Sequence, residues 1–425
     1  MAALAFPALI VLAAEPLYVL VDTAVVGHLG RTPLAALAVG GSIMSFAAWL
    51  GTVLAYGTTG RAARRFGAGQ RAEAVAEGVQ ASWLALIAGV FLFLVLEIGA
   101  GPLTRAIASG GNAEVATAAA RWLHIAAFGA PGLMLATAGN GWLRGVQDTR
   151  RPLYFVLGAN VLSGILCPVL VYPLGFGLTG SAIANAVAQT VSGLLFLGAL
   201  IHERVSLRPR FAVIARQLVL GRDLLVRGAA FQACFLSASA VAARFGAAAL
   251  AAHQIALQLW LFCSLAMDAV AIAAQALVGA ALGGSRPAAA RWLARRIGLI
   301  GLFSGIGFAV LIAAALPILQ PWFGADDEVF AQAQIAWWWF VGMQPIAGVV
   351  FALDGVLIGA GDVKYMRNMT IVAGLCGFLP AVWLALLLHL GLGGVWAGLT
   401  LFIVLRFVAL VTRLRGDRWA VLGTA

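Results

Sequence analysis

Two acidic residues near the start of the chain lie inside a long apolar run, where a charge is costly. Glu15 and Asp22 are seven residues apart, so a helix places them on one face, with Tyr18 between them. A carboxylate in an apolar span can bind a proton or a sodium ion. If an organic cation competes for the same carboxylate, ion and substrate exclude each other. This spacing predicts an ion-coupling site at Asp22, where sodium is the only metal we expect.

The same run contains two prolines, Pro7 and Pro16. Proline removes a backbone hydrogen bond and clashes with the preceding helical turn, which bends a helix. We therefore expect a bendable first helix that carries the coupling carboxylate.

Other polar residues interrupt the later apolar runs and are further candidates for an ion or substrate site. Amides often join membrane helices by hydrogen bonds, so a structural role stays open for each of them. Asp268 lies deep in an apolar run without an adjacent base, whereas Asp354 is expected in a loop after the tenth span. The candidates are Asn160, Asn185, Gln189 and Asp268.

The composition indicates which elements hold these side chains. The chain has 425 residues, 63% hydrophobic and 10% charged, with a mean hydropathy of +0.99. Soluble domains are about 25% charged, and a membrane-spanning helix needs about 20 apolar residues. The long unbroken runs favour helices over barrel strands. Twelve spans are predicted near 4–27, 34–60, 74–99, 116–139, 152–172, 178–200, 222–244, 248–280, 290–317, 329–353, 367–389 and 392–412.

The net charge of +11 is distributed by topology rather than as a nucleic-acid-binding patch. All but four of the 27 lysines and arginines lie in or beside alternate linkers and the C-terminal tail. Arg31, Arg105, Arg121 and Arg244 lie on the other side, together with the acidic run 326–328. The positive-inside rule then predicts that both termini are cytoplasmic and that the basic linkers contact anionic lipid.

The chain also repeats itself. Gly141–Asp148 and Gly355–Asp362 share the pattern G-x-L-x-G-x-x-D at an offset of 214, and Gly177–Gly180 matches Gly391–Gly394 at the same offset. We predict an N-terminal lobe of residues 1–205 and a C-terminal lobe of residues 206–425, each with six helices and related by a pseudo-two-fold axis along the membrane normal.

No catalytic pattern is visible, so we expect neither an enzyme nor an organic cofactor. The sequence contains no GxxxxGK[ST] phosphate loop and no HExxH. The four cysteines, Cys167, Cys234, Cys263 and Cys376, stand alone in apolar runs and are expected to be packing residues. A flippase of lipid-linked cargo and a channel remain as alternatives, although few arginines lie inside spans and two repeated lobes argue against a simple pore.

Residues 15–30, EPLYVLVDTAVVGHLG, resemble the first helix of the multidrug and toxic compound extrusion (MATE) family, especially its DinF branch. The repeat 141–148 and the segment 251–255, AAHQI, are also similar to that family. The resemblance covers the whole chain. It implies a V-shaped, two-lobed exporter of organic, often cationic, compounds against protons or sodium. We expect a monomer in the bacterial plasma membrane.

Particular residues match the family's pattern. The first-helix acid falls on Asp22, the preceding tyrosine on Tyr18, the bending proline on Pro7 and the fifth-helix asparagine on Asn160. Members of this branch can carry a second carboxylate four residues after that asparagine, where this chain has Gly164. The resemblance therefore implies a site with one family carboxylate, and Glu15 is the residue that could substitute for the other.

Overall fold

A computed structural model of the protein describes residues 1–108, 112–319 and 327–423, except the side chains of residues 2 and 317–319. Within these residues, twelve helical spans are long and apolar enough to cross a membrane, and there is no strand. The prediction of an all-α, twelve-helix membrane protein is confirmed. The helices are α1 (Ala2–Gly27), α2 (Arg31–Gly67), α3 (Arg71–Ile107), α4 (Ala113–Gly145), α5 (Arg150–Val171), α6 (Leu178–His202), α7 (Phe211–Arg244), α8 (Ala247–Gly283), α9 (Pro287–Leu319), α10 (Asp327–Gly359), α11 (Val363–Leu387) and α12 (Gly391–Arg415).

Two of these spans contain a local change of helix type. A short 3₁₀ turn, Ala127–Gly129, lies within α4, and a π-helical segment, Ala373–Phe378, lies within α11. By contrast, α1 is continuous through both Pro7 and Pro16. The bending of α1 at these prolines stays a prediction.

The chain forms two compact units, Ala2–Gly221 and Arg222–Ala425. In the first unit α4 packs against α2, α3 and α6, and in the second unit α10 packs against α8, α9 and α12. The two central helices have the most buried apolar windows among the twelve spans of the described residues. Equivalent helices therefore surround equivalent centres, as the sequence repeat predicts.

The repeated glycines explain how each central helix approaches its neighbour. A Cβ atom at Gly141 would lie 2.7 Å from the carbonyl oxygen of Ala55 on α2. A Cβ atom at Gly355 would overlap the carbonyl oxygen of Ala271 on α8. Because small residues let membrane helices pack closely, the repeat marks a packing contact in each unit.

The aspartates that end the two repeats bind arginine or backbone groups. The Asp148 carboxylate accepts from the backbone N–H groups of Arg150 and Arg151, at 3.2 Å each, and therefore stabilises the start of α5. The Asp362 carboxylate accepts from Arg413 Nε at 2.6 Å. Both residues thus have structural partners.

The basic segment between α6 and α7 is held by the first unit. The Arg210 backbone N–H donates to Gln80 Oε1 at 2.6 Å, and the Gln217 amide donates to the Glu77 carbonyl oxygen at 3.1 Å. The two compact units therefore divide inside α7, between Gly221 and Arg222, whereas the lobes predicted from the repeat divide between residues 205 and 206.

One prediction about the second unit is wrong. Asp354 was expected in a loop, but α10 continues to Gly359, and Asp354 is buried within it. Arg227 on α7 and Arg406 on α12 both donate to its carboxylate. These two guanidinium groups offset the cost of burying the carboxyl group within the helix. Of the predicted acidic run, residue 326 lies outside the described residues.

Candidate functional site

The acidic face of α1 borders a cavity inside the first unit. This cavity has a volume of about 360 Å³ and is lined by residues of α1, α2, α4 and α6. Glu15, Tyr18 and Asp22 all line it, so the seven-residue spacing places both carboxylates on one face as predicted. Asn185 and Gln189, one turn apart on α6, complete the predicted polar residues at this site.

The Asp22 carboxylate is the most enclosed acid of the cavity, with 4% of the residue exposed. Its Oδ1 atom accepts a hydrogen bond from the Cys167 thiol on α5, with a sulfur–oxygen distance of 3.1 Å. The hydroxyl group of Ser181 on α6 also lies beside this carboxylate. Three helices therefore converge on one acid.

Several polar atoms around Asp22 have unused hydrogen-bonding capacity. The Tyr18 hydroxyl lies close to Ser163 and Asn185, but it forms no aligned hydrogen bond to either. Within the described residues, Ser163 Oγ and Asn185 Oδ1 also lack partners. A buried polar atom without a hydrogen-bond partner costs about 1–3 kcal/mol, so such groups usually bind a ligand or a water molecule. Oxygen atoms around a carboxylate are suitable ligands for a proton or a hard monovalent cation.

The two cavity acids lack an arginine or lysine partner. Among the described residues, neither Asp22 nor Glu15 forms an ion pair, although Glu15 is the more exposed of the two. A buried charge without a counter-charge is costly, and a bound proton or cation lowers that cost. The site can therefore change its net charge when an ion or substrate arrives.

Two predicted site residues lie elsewhere. Asn160 is on α5, seven residues before Cys167, and is not among the described residues that line the cavity. Asp268 lies on α8, in the second unit. Gly164, where a second carboxylate was considered, has open space around its Cα atom, with no heavy atom within 4 Å of an added Cβ.

Four neighbours of the cavity acids were not predicted from the sequence. Cys167 was interpreted as a packing residue, but its thiol binds Asp22. Ser163, one turn before Cys167 on α5, and Ser181 on α6 lie near the α1 face. Trp122 on α4 lines the cavity and donates to Ser181. Helical periodicity places residues 160, 163 and 167 on one face of α5, and this pattern could have indicated that Ser163 and Cys167 lie together.

The architecture and the site together define a class of protein. Two units of six spans, each around a central helix, are typical of secondary transporters built from repeats. A membrane-embedded acid in a polar cavity marks an ion or substrate pathway in such proteins. The fold and the site therefore define a polytopic transporter.

The comparison with known families makes this class specific. The MatE family model matches residues 7–169 and 224–383, and the chain belongs to this family of transporters. The chain is 33% identical to Protein DETOXIFICATION 44, chloroplastic, of Arabidopsis thaliana, over 99% of this chain and 83% of that protein. It is 32% identical to DNA damage-inducible protein F of Escherichia coli strain K12, over 93% of this chain and 87% of that protein. The predicted MATE and DinF resemblance is confirmed, and the protein is not an enzyme.

Solved structures support the fold. A crystal structure of MATE in the bent conformation has a TM-score of 0.88 at 22% identity, covering 98% of this chain and 93% of that chain. A crystal structure of a mutant of the Vibrio cholerae MATE transporter VcmN has a TM-score of 0.86 at 20% identity, covering 98% of this chain and 97% of that chain. At these identities, the likeness establishes the twelve-helix fold.

Proposed function

We propose that this protein exports small organic compounds, mainly cations, in exchange for protons or sodium ions by alternating access. The observation that supports this proposal is Asp22, a buried carboxylate without an ionic partner that lies among hydroxyl, thiol and amide groups. An ion bound at Asp22 neutralises the site, and a cationic substrate needs that same negative charge. Mutual exclusion at one carboxylate couples the two movements in opposite directions.

The cavity supports a division of roles among its residues. Asp22 binds the coupling ion, and Tyr18 and Asn185 supply neighbouring polar groups. Gln189 lies one turn further along α6, and Glu15 lies two turns away from Asp22 at a more exposed position. These outer groups contact the substrate, because a drug-sized molecule needs a wider and more solvated space than an ion does.

We also propose the setting in which this exchange occurs. Both termini lie in the cytoplasm of a bacterial cell, and the protein is a monomer in the plasma membrane; the asymmetry of the arginines supports this orientation of the termini. The inward proton or sodium gradient of that membrane then drives export.

Uptake of a fluorescent organic cation by everted vesicles, whose cytoplasmic face is outside, tests the proposal. Everted vesicles take up the probe when a proton or sodium gradient is imposed, and Asp22→Asn should reduce this uptake by roughly ten-fold or more, about 1.4 kcal/mol. Asp417→Asn is the matched control, because Asp417 is a largely exposed partner of Arg291 outside the cavity.

Each result decides between functions. Uptake that depends on the gradient and fails in Asp22→Asn supports antiport at this site. Uptake that is the same in both proteins would move the coupling site elsewhere, first to Glu15 or Asp268. Movement of a labelled lipid-linked probe, without cation uptake in the wild type, would favour a flippase, and ionic current without substrate would favour a channel.

A further inference from the structure

A second cavity of the first unit lies at the end where the α1–α2 and α5–α6 linkers are found. Its volume is about 680 Å³. Its polar lining comes from Thr32 on α2, Glu114, Thr117 and Arg121 on α4, and Thr179 on α6. Glu114, Thr117 and Arg121 are exposed. We call this cavity the outer pocket, because the arginine distribution predicts that this end faces away from the cytoplasm.

One side chain belongs to both cavities. Trp122, which is 3% exposed, lines the outer pocket and also the Asp22 cavity. The indole therefore separates a water-accessible pocket from the cavity that contains the buried carboxylate. No other described residue lines both.

The polar edge of this indole connects to Asp22 through a single residue. Trp122 Nε1 donates to Ser181 Oγ at 3.2 Å, and the Ser181 hydroxyl lies beside the Asp22 carboxylate. An indole N–H can only donate, so it occupies a lone pair of the serine oxygen and leaves the serine proton for Asp22. Trp122 thus positions Ser181.

Close packing fixes the opposite edge of the indole. A Cβ atom at Gly40 on α2 would lie 2.5 Å from Trp122 Cε3, so the ring occupies the space that the glycine leaves. A ring held by a hydrogen bond at one edge and by packing at the other can seal a passage, and rotation of one side chain would open it.

We propose that the outer pocket is the entrance through which the coupling ion reaches Asp22, and that Trp122 is its gate. This inference rests on the proposed function, because it assigns a route to the ion of that exchange. The ligand is water with a proton or a small monovalent cation. The outer pocket carries one acid, Glu114, and one base, Arg121, so its charge gives no preference to an organic cation. Only the Trp122 side chain has to move to connect the two cavities.

Cys167 provides a reporter for arrival at Asp22, because its sulfur lies 3.1 Å from the carboxylate. The test uses the full chain with Cys234, Cys263 and Cys376 replaced by alanine, so that one thiol remains. Silver ion, a small monovalent cation that blocks thiols, is added outside right-side-out vesicles for timed intervals. After chloride quenching and denaturation, maleimide alkylation and mass spectrometry measure the fraction of Cys167 that is still free.

Two added tryptophans compare the two possible routes. Thr117→Trp fills the outer pocket, whereas Ser42→Trp fills the exposed side of the Asp22 cavity on α2. We expect Thr117→Trp to slow silver blocking by roughly ten-fold or more, about 1.4 kcal/mol in the barrier, and Ser42→Trp to change it by less than about two-fold.

Gate variants complete the test. Trp122→Phe keeps a ring but removes the N–H donor, and we expect faster blocking of Cys167; Trp122→Ala should give a larger increase if it folds. An unchanged rate in Thr117→Trp together with a slow rate in Ser42→Trp would overturn the proposal, as would no blocking of Cys167 in any variant. Blocking requires no transport, so a route through the outer pocket can be found even if cation efflux is absent.

Discussion

The two units are built on the same helical plan, but two of their buried carboxylates, Asp22 in the first unit and Asp354 in the second, have opposite surroundings. In the first unit, Asp22 lies among hydroxyl, thiol and amide groups without an arginine. In the second unit, Asp354 is bound by Arg227 and Arg406, and both guanidinium groups also lie over the ring of Phe231. Asp354 has two arginine partners, whereas Asp22 has none among the described residues.

This difference shows how a duplicated fold separates two tasks. The repeated glycines pack the central helix in both units, so packing is shared. Arginine pairing of buried carboxylates is also shared, because Glu77 in the first unit is bound by Arg61. Asp223 in the second unit is bound by two arginines, much as Asp354 is. The difference is that Asp22 has no such partner within the described part of the chain. We therefore propose Asp22 for ion exchange, whereas the arginine-paired carboxylates of both units stabilise contacts between helices.

The largest expected effect comes from breaking the paired acid. Asp354→Asn leaves Arg227 and Arg406 buried without their counter-charge, and we expect a loss of about 3–5 kcal/mol in the free energy of unfolding. Asp22→Asn removes an unpaired charge and should change stability by less than about 1 kcal/mol, although it abolishes coupling. Thermal unfolding in detergent measures both variants.

Similar free energies of unfolding for Asp354→Asn and Asp22→Asn would contradict this contrast between the two acids. Asp417→Asn serves as the control for loss of an ion pair, because this carboxylate is 82% exposed and its pair with Arg291 should contribute no more than about 1 kcal/mol. A stable Asp354→Asn with unaltered unfolding would show that its arginines find other partners.

A second prediction tests whether the glycine packing contact of the central helix is the same in both units. Gly141→Ala and Gly355→Ala insert a methyl group against a backbone carbonyl of the adjacent helix, and each should cost about 1–3 kcal/mol. Gly342→Ala, on the same helix as Gly355 but with no heavy atom within 4 Å of the new Cβ, is the control and should be neutral or slightly stabilising. A large effect in only one unit would mean that the repeat has diverged in packing as well.

Much of this arrangement could be predicted from local sequence, because local rules fix it. Hydropathy and arginine placement predict the twelve spans, and helical spacing puts Glu15, Tyr18 and Asp22 on one face. The arginines that bind Asp354 are 127 and 52 residues away, so no local pattern indicates them, and the loop prediction was wrong.

The neighbours of Asp22 show the same limit. Cys167 is 145 residues from Asp22, and the residues Trp122 and Ser181 are 59 residues apart. Tertiary packing of α4, α5 and α6 brings them together, and a lone cysteine in an apolar run gives no sign of such a partner. The acid can be predicted from the sequence, but the weak hydrogen-bond donors that surround it cannot.

A third prediction concerns that shell. Cys167→Ala removes the thiol that donates a hydrogen bond to Asp22. A weak hydrogen-bond donor to a carboxylate contributes about 1 kcal/mol to its interactions, so we expect the affinity of Asp22 for the coupling ion to change by roughly five-fold. The proton or sodium concentration that gives half-maximal efflux measures this change. Cys263→Ala, a buried cysteine of the second unit, is the control and should leave that concentration unchanged. Equal shifts in both variants would indicate a general packing effect rather than loss of the donor.

The smallest expected effect separates the two acids of the cavity. Glu15 is more exposed than Asp22 and lies two turns away from it, so Glu15→Gln should weaken the apparent affinity for a cationic substrate by about 1 kcal/mol or less. Because ion binding is assigned to Asp22, the ion dependence of efflux should stay as in the wild type. A neutral substrate of similar size is the matched control, since its KM should not respond to a lost charge. If Glu15→Gln instead changes the ion dependence as strongly as Asp22→Asn does, both carboxylates form the ion site, and Glu15 then replaces the second acid that Gly164 does not provide.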